Sequence, residues 1–238
     1  MGPVQLEGLN DGGWVDQALT QMPLYTADAL ILRTYKLAEA DRIVVFLTRD
    51  RGKKRGVAPH ARRAKSRFRG ALEPLTEVRV AYFERERREL VNLNYAEPVR
   101  TPLASASPEN LAYSHYFAEL IDAWAPDADA DERLFRLGCS VLDALAAGAG
   151  SDALARYFEC WLLRLQGVYP SDLPLSRGAL AFIDATRQVA PAEAVRLGAT
   201  TRVLRELEVK HHALITSHLE KELKSIRVMN ELRRLPEQ

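Results

Sequence analysis

Nine cationic side chains, Arg51, Lys53, Lys54, Arg55, Arg62, Arg63, Lys65, Arg67 and Arg69, follow one another with no acid among them, in a chain of formal net charge +1. A cluster of that kind does ionic rather than covalent chemistry. Clustered Lys and Arg release the counterions condensed on a phosphate backbone, an effect set by charge density and hardly by sequence. A solvated, mobile basic loop is the plainer interpretation of a charge run. Spacing argues against it, because Gly52, Gly56, Pro59 and Gly70 punctuate the stretch and Val57 and Phe68 interrupt it with residues that pack. These nine residues are therefore the candidate polyanion contacts.

Covalent and metal chemistry find less support. Gly52-Lys53-Lys54-Arg55-Gly56 lacks the order G-x-x-x-x-G-K-[ST] and the helix that must follow a phosphate-binding loop. His211 and His212 are neighbours on a predicted helix, about 100° apart, and chelate one metal poorly. His211 and His218 fall on the apolar side of that helix, as satisfied core histidines do, and His115 is isolated. No G-x-S-x-G, no H-E-x-x-H and no cysteine with an evident partner occurs. Cys139 and Cys160 lie on different predicted helices, outside C-x-x-C spacing, which suits buried thiols in a reducing cytosol. Asp127 with Asp129, and Asp131 with Glu132, occupy a helix connection and a first helical turn, where carboxylates favour the dipole. The reading is no enzyme, no catalytic residue, no metal ligand and no cofactor. Two further basic segments are Arg85 to Arg88, either a solubilising hairpin tip or an extension of the cationic track, and Lys221, Lys224, Arg227, Arg233 and Arg234, interleaved with glutamates as on a solvated helix face.

The elements that must position the basic stretch are legible as apolar periodicity. Tyr25 to Arg33, Arg42 to Thr48, Lys53 to Ala58, Leu75 to Phe83 and Leu90 to Tyr95 read as five short strands, with one long connection between the third and fourth. That arrangement fits a small closed barrel of the OB type, with an SH3-like barrel as its rival. The period changes after Pro98 and Pro102. Ser107-Pro108 opens a helix carrying Tyr113, Tyr116, Phe117, Leu120, Ile121 and Trp124 on one face. A second helix carries Leu134, Leu137, Val141 and Leu145, and a third, capped by Ser151 and ended by Gly167, carries Leu154, Tyr157, Phe158, Trp161, Leu162 and Leu165. Further helices are expected near Ala179 to Val189 and Ala192 to Leu197, then a long one from Thr201 that continues with a break towards Met229. The fold class is thus α+β, an N-terminal OB-fold barrel followed by an all-helical part. Expected units are a flexible extension over 1–21, the barrel as DNA-binding domain over 22–100, and the helical domain over 101–238. The apolar content of 47% supports real cores, no apolar run is long enough to span a bilayer, and the opening residues lack the pattern of a secretory signal.

Three segments are familiar as well: Leu37 to Val44 with Thr48 to Lys53, the run Gly56 to Leu75 (GVAPHARRAKSRFRGALEPL), and Leu223 to Val228 together with Gly167 to Leu173. They resemble the bacterial recombination mediator family RecO, over about residues 22–235. The resemblance implies an OB-fold joined to a helical domain, acting without nucleotide hydrolysis in the cytoplasm, at the nucleoid. It implies binding of single- and double-stranded DNA and annealing of complementary strands. The implied partners are the C-terminal tail of single-stranded DNA-binding protein and RecR, with RecA loaded as the outcome. Many members carry two C-x-x-C pairs after the third helix as a zinc site. Here 168–177 has no cysteine, so that segment is expected to be a zinc-free turn held by Tyr169, Leu173 and Leu175. Two rival functions stay open from the sequence: a protein adaptor docking acidic tails, and an RNA-binding OB protein, since a phosphate track does not distinguish ribose from deoxyribose.

Overall fold

The computed structural model describes residues 23–84, 89–102, 107–149, 151–220 and 223–232. Five strands, β1 (Leu24–Leu37), β2 (Asp41–Thr48), β3 (Gly52–Ala58), β4 (Glu77–Phe83) and β5 (Leu90–Arg100), close into a barrel in the order β1-β2-β3-β5-β4. Every pairing is antiparallel except β3 with β5. This is the expected OB-type barrel.

The unbroken apolar runs of β1 and β2 have a physical cause, which is burial on both faces. Ala29, Ile31, Val44 and Phe46 point into the barrel with Val78, Val80, Tyr82 and Leu93. Leu30, Leu32, Val45 and Leu47, on the opposite face, belong to the core of the helical part. A register shift between Ile31 and Arg33 bends β1 between its two neighbours. At Gly56 an added Cβ would lie 2.2 Å from Leu93 Cδ1 and 2.7 Å from Val91 Cγ2, so β3 and β5 approach too closely there for any side chain. Two strands run further than expected, the first being β1, which reaches Leu37 rather than Arg33. β5 runs past Pro98 to Arg100, because Pro98 sits at a register shift against Glu77 and Val78, where no ladder donor is required of it.

The helices are α1 (Pro108–Trp124), α2 (Glu132–Ala146), α3 (Asp152–Leu165), α4 (Arg177–Ala185), α5 (Thr201–Leu219) and α6 (Lys224–Leu232). Ser107, Asp131, Ser151, Ser176 and Thr200 each accept a backbone N–H with the side chain, satisfying donors the first turn leaves orphaned. Pro191–Leu197 is a 3₁₀ helix rather than the expected α-helix, seven residues between Ala190 and the left-handed Gly198 (φ 65°). Two cores result beyond the barrel's own: one joins α1, α2 and α3 to β1 and β2, the other packs α3, α4 and α5 around Phe182, Ile183 and Leu207. Among the described residues no helix is long and apolar enough to cross a membrane. Residues 1–21, Arg85 to Arg88, Lys221, Arg233 and Arg234 lie outside the described residues.

Candidate nucleic-acid interface

After Ala58 the chain leaves the barrel and returns to it at Glu77. The connection is a succession of turns: Arg63 N donates to His60 O (3.1 Å), Ser66 N to Arg63 O (3.0 Å), Arg69 N to Ser66 O (3.3 Å) and Ala71 N to Phe68 O (3.1 Å). It is pinned at three places. Near its start Arg62 donates from Nη1 to the carbonyls of Ala38 (2.9 Å) and Glu39 (2.7 Å), and His60 N donates to Asp41 Oδ1 (2.7 Å). In its middle Phe68, Ala71 and Leu72 are buried in the barrel core. At its end Leu75 N donates to Ile31 O (2.7 Å), holding a buried residue in the left-handed region (φ 61°). Such a conformation persists where its surroundings over-determine it. Arg63, Lys65, Arg67 and Arg69 are thereby left exposed on an ordered ridge. Among the described residues no carboxylate pairs with any of the four, and the Arg67 guanidinium lies 5.1 Å from the Phe68 ring centroid.

The other five candidates fare differently. Arg55 is exposed on β3, and Arg62, though exposed, serves the β1–β2 turn as described. Arg51 sits in the β2–β3 turn over the Tyr25 ring (4.3 Å), with Asp50 3.7 Å away. Seven residues of β3 separate it from the connection, roughly 20 Å at strand rise. Lys53 is a correction. Its side chain is 10% exposed and its Nζ donates to Asp122 O (2.9 Å), with Asp122 and Asp127 carboxylates at 3.7 and 3.5 Å. Burial lowers its pKa, Asp127 opposing. Lys54 is a second correction, 13% exposed and held by Glu84 at 2.7 Å. Register explains both: Lys53 stands opposite Leu47 and so faces the helices, and Lys54 stands opposite Phe46 and so leans towards the barrel lumen. The nine cations are therefore not one track but a ridge of four, three exposed outliers and two structural lysines.

Comparison with known proteins agrees with the barrel and the helices together. The family model "Recombination protein O N terminal" matches residues 22–102, and "Recombination protein O C terminal" matches residues 105–172. The chain belongs to the RecO family. Among curated relatives named DNA repair protein RecO, that of Koribacter versatilis is 43% identical over 149 residues, 62% of this chain and 60% of that protein. That of Pelotomaculum thermopropionicum is 37% identical over 150 residues, covering 63% and 57%. The Geobacter sulfurreducens protein is 34% identical over 189 residues, covering 71% of this chain and 77% of the relative. The chain thus spans about six-tenths of the length of the first two RecO relatives.

The remaining candidate chemistry is structural in this RecO chain. His211 and His212 do converge, but on a carboxylate: Glu159 receives His211 Nδ1 at 3.0 Å and His212 Nε2 at 3.5 Å, both His211 and Glu159 being fully buried. Cys139 and Cys160 are free and buried in different cores, and burial pushes their thiols up to about 12 and about 11. In the segment after α3, Tyr169 reaches His211 Nε2 (3.2 Å) and packs with Leu175, while Leu173 joins neither core. Among the described residues no group of three or more His, Cys, Asp or Glu is placed to hold a metal ion. Reading the sequence missed Asp122, a buried acid in α1 that pairs with Arg33 and Lys53. The available signal was the acid-rich stretch Asp122 to Glu132, the chain's only counterweight to the basic run in size.

Proposed function

We propose that this protein is a non-enzymatic DNA-binding mediator of recombinational repair, gripping phosphates with Arg63, Lys65, Arg67 and Arg69. The observation that carries the reading is that these four cations are exposed, unpaired among the described residues, and fixed by a connection sealed into the barrel through Phe68. The names of the relatives support the repair setting. Residues 22–100 serve as the DNA-binding unit and 101–238 as the helical unit, acting in the cytoplasm at the nucleoid. The activity is to bind single- and double-stranded DNA and bring complementary strands together. Two polyanions approach only when their repulsion is screened locally, and an ordered cationic ridge does this without a chemical step. The partners are single-stranded DNA-binding protein, through its tail, and RecR, with RecA loaded on the strand that is cleared.

The test is a titration with single-stranded and duplex oligonucleotides across salt. Four phosphate contacts give a log–log slope of about −3 for single strands and about −4 for duplex. Changing Arg63, Lys65, Arg67 and Arg69 to Glu should abolish both binding and strand annealing while leaving the fold. Lys53→Ala is the contrasting variant. It should leave the slope unchanged and lower stability by about 1–3 kcal/mol, because it strips partners from buried Asp122. Undiminished binding by the fourfold variant would refute the reading, and equal competition by RNA of the same sequence would move it to RNA.

A further inference from the structure

On the outer face of β1, Tyr35 is 46% exposed, the one aromatic among the exposed large apolar side chains of the described residues. The Arg33 guanidinium lies 5.4 Å from its ring centroid and is itself tied to buried Asp122, so ring and cation are held side by side. Tyr35 forms one wall of a groove of about 570 Å3 between β1, α1 and α6. The helices contribute apolar Leu111, Ala112 and Val228 to the lining, together with His115 and Lys224. Glu119 also lines the groove but is committed, accepting from Lys224 N (3.1 Å) and Ser225 N (2.8 Å) at the start of α6. Glu73 and Pro74 complete the lining, and they belong to the same connection that carries Arg63 to Arg69.

We propose that this groove receives an unpaired nucleotide of single-stranded DNA, its base stacked on Tyr35 beside Arg33. The proposal rests on the phosphate-gripping role of the cationic ridge and assigns the bases a place. Single-strand sites combine a cationic track for the backbone with aromatic faces for the bases. Here the track leads, through one ordered segment of chain, to the groove that holds the exposed ring. Lys224 is the lining cation left for a phosphodiester, Arg33 being paired with Asp122, and the Tyr35 ring flanked by that guanidinium offers an exposed aromatic surface of a kind that suits a base. A duplex keeps its bases paired and inside, so the groove adds affinity for single strands only.

The experiment uses the full chain with a thymidine oligomer, an abasic oligomer of equal length, and a duplex. The thymidine oligomer should bind roughly tenfold more tightly than the abasic one. Tyr35→Ala should erase that preference, Tyr35→Phe should keep it, and both should leave duplex affinity and salt slope unchanged. A 5-iodouracil oligomer should photocrosslink to the peptide containing Tyr35. Equal binding of thymidine and abasic oligomers, or a preference that survives Tyr35→Ala, overturns the base site. If the charge-reversed ridge still loses all binding in that case, the phosphate reading stands by itself. An acidic, apolar-ended peptide whose binding requires Tyr35, with the oligomer preference unaffected by its loss, overturns the proposal in favour of a protein occupant.

Discussion

At the scale of single residues, Glu159 in α3 gathers several partners around one buried carboxylate. Its Oε1 accepts from Tyr116 Oη (2.5 Å) and Arg156 Nη2 (2.6 Å), and its Oε2 faces His211 Nδ1 (3.0 Å). Burial alone would push this carboxyl up, but Arg156, His211 and His212 outweigh it and hold the group well below the usual carboxylate range. The neighbouring Tyr116 hydroxyl moves the other way, raised by burial and then by the carboxylate beside it. A depressed folded pKa gives stability that is present above the unfolded value, about 4.3, and is lost as pH falls towards the folded value. Between the two values the unfolded chain binds the proton and the folded chain does not. Stability should therefore fall by about 1.4 kcal/mol per pH unit from this group alone. Urea unfolding between pH 3 and 5 measures it. In Glu159→Gln the slope should flatten, and stability at pH 7 should drop by about 3–5 kcal/mol, because Arg156 is left as a buried charge without its closest partner. That His211 is a satisfied core histidine was legible from its place on an apolar face. Its partner was not, since Glu159 lies 52 residues away and only packing of α3 against α5 joins them.

At the scale of elements, the connection between β3 and β4 decides whether the ridge is a site or merely a charged loop. Its composition was readable from the sequence, and so was Phe68 as a residue that packs. Which cations stay free was not readable, because pairing of Lys53 depends on Asp122 and Asp127, some seventy positions away, and of Lys54 on Glu84 across the barrel. The strands were legible because β1 and β2 are apolar on both faces and β4 alternates. The extension of β5 and the 3₁₀ turn at Pro191–Leu197 were not, because register shifts and short helices leave no period to read. Phe68 is 2% exposed and seals the barrel beneath Arg67 and Arg69. Phe68→Ala should cost about 3–5 kcal/mol of stability through the cavity it leaves. It should also weaken DNA affinity although no charge is removed, because cations on an untethered segment must be ordered on binding. Phe68→Leu should recover most of both losses. Thermal unfolding and oligonucleotide titration of the two variants check this, and full affinity in a destabilised Phe68→Ala protein would show that the ridge needs no anchor.

At the scale of the molecule, a net charge of +1 conceals a segregation. The barrel cations that face the helices are met by acids of the helices and of the connection between the first two: Arg33 by Asp122, Arg49 by Glu132 at 2.9 Å, Lys53 by Asp122 and Asp127, and Arg100 by Asp143. The ridge on the connection has no such counterpart among the described residues, so the field of the protein is positive there. The same surface joins the two parts mechanically. The segment after α1 continues the edge of β3, Lys53 N donating to Pro126 O (3.1 Å) and Ala128 N to Lys53 O (3.2 Å). Gly52 (φ 67°) comes so close to Asp129 that an added Cβ would lie 2.3 Å from its carbonyl oxygen. Beneath the ion pairs, Leu30, Leu32, Val45 and Leu47 share one apolar core with α1, α2 and α3. A barrel cut free of the helices would turn those four side chains to water, a patch of the kind that drives association. Unfolding of the whole chain by urea should therefore be a single transition, coincident by tryptophan fluorescence and far-ultraviolet circular dichroism. A fragment of residues 22–102 should self-associate or bind a hydrophobic dye, and replacing Leu30, Leu32, Val45 and Leu47 by Thr in it should restore solubility. A fragment that is monomeric without those changes, with its own cooperative transition, would show that the barrel's stability does not depend on the helices at all.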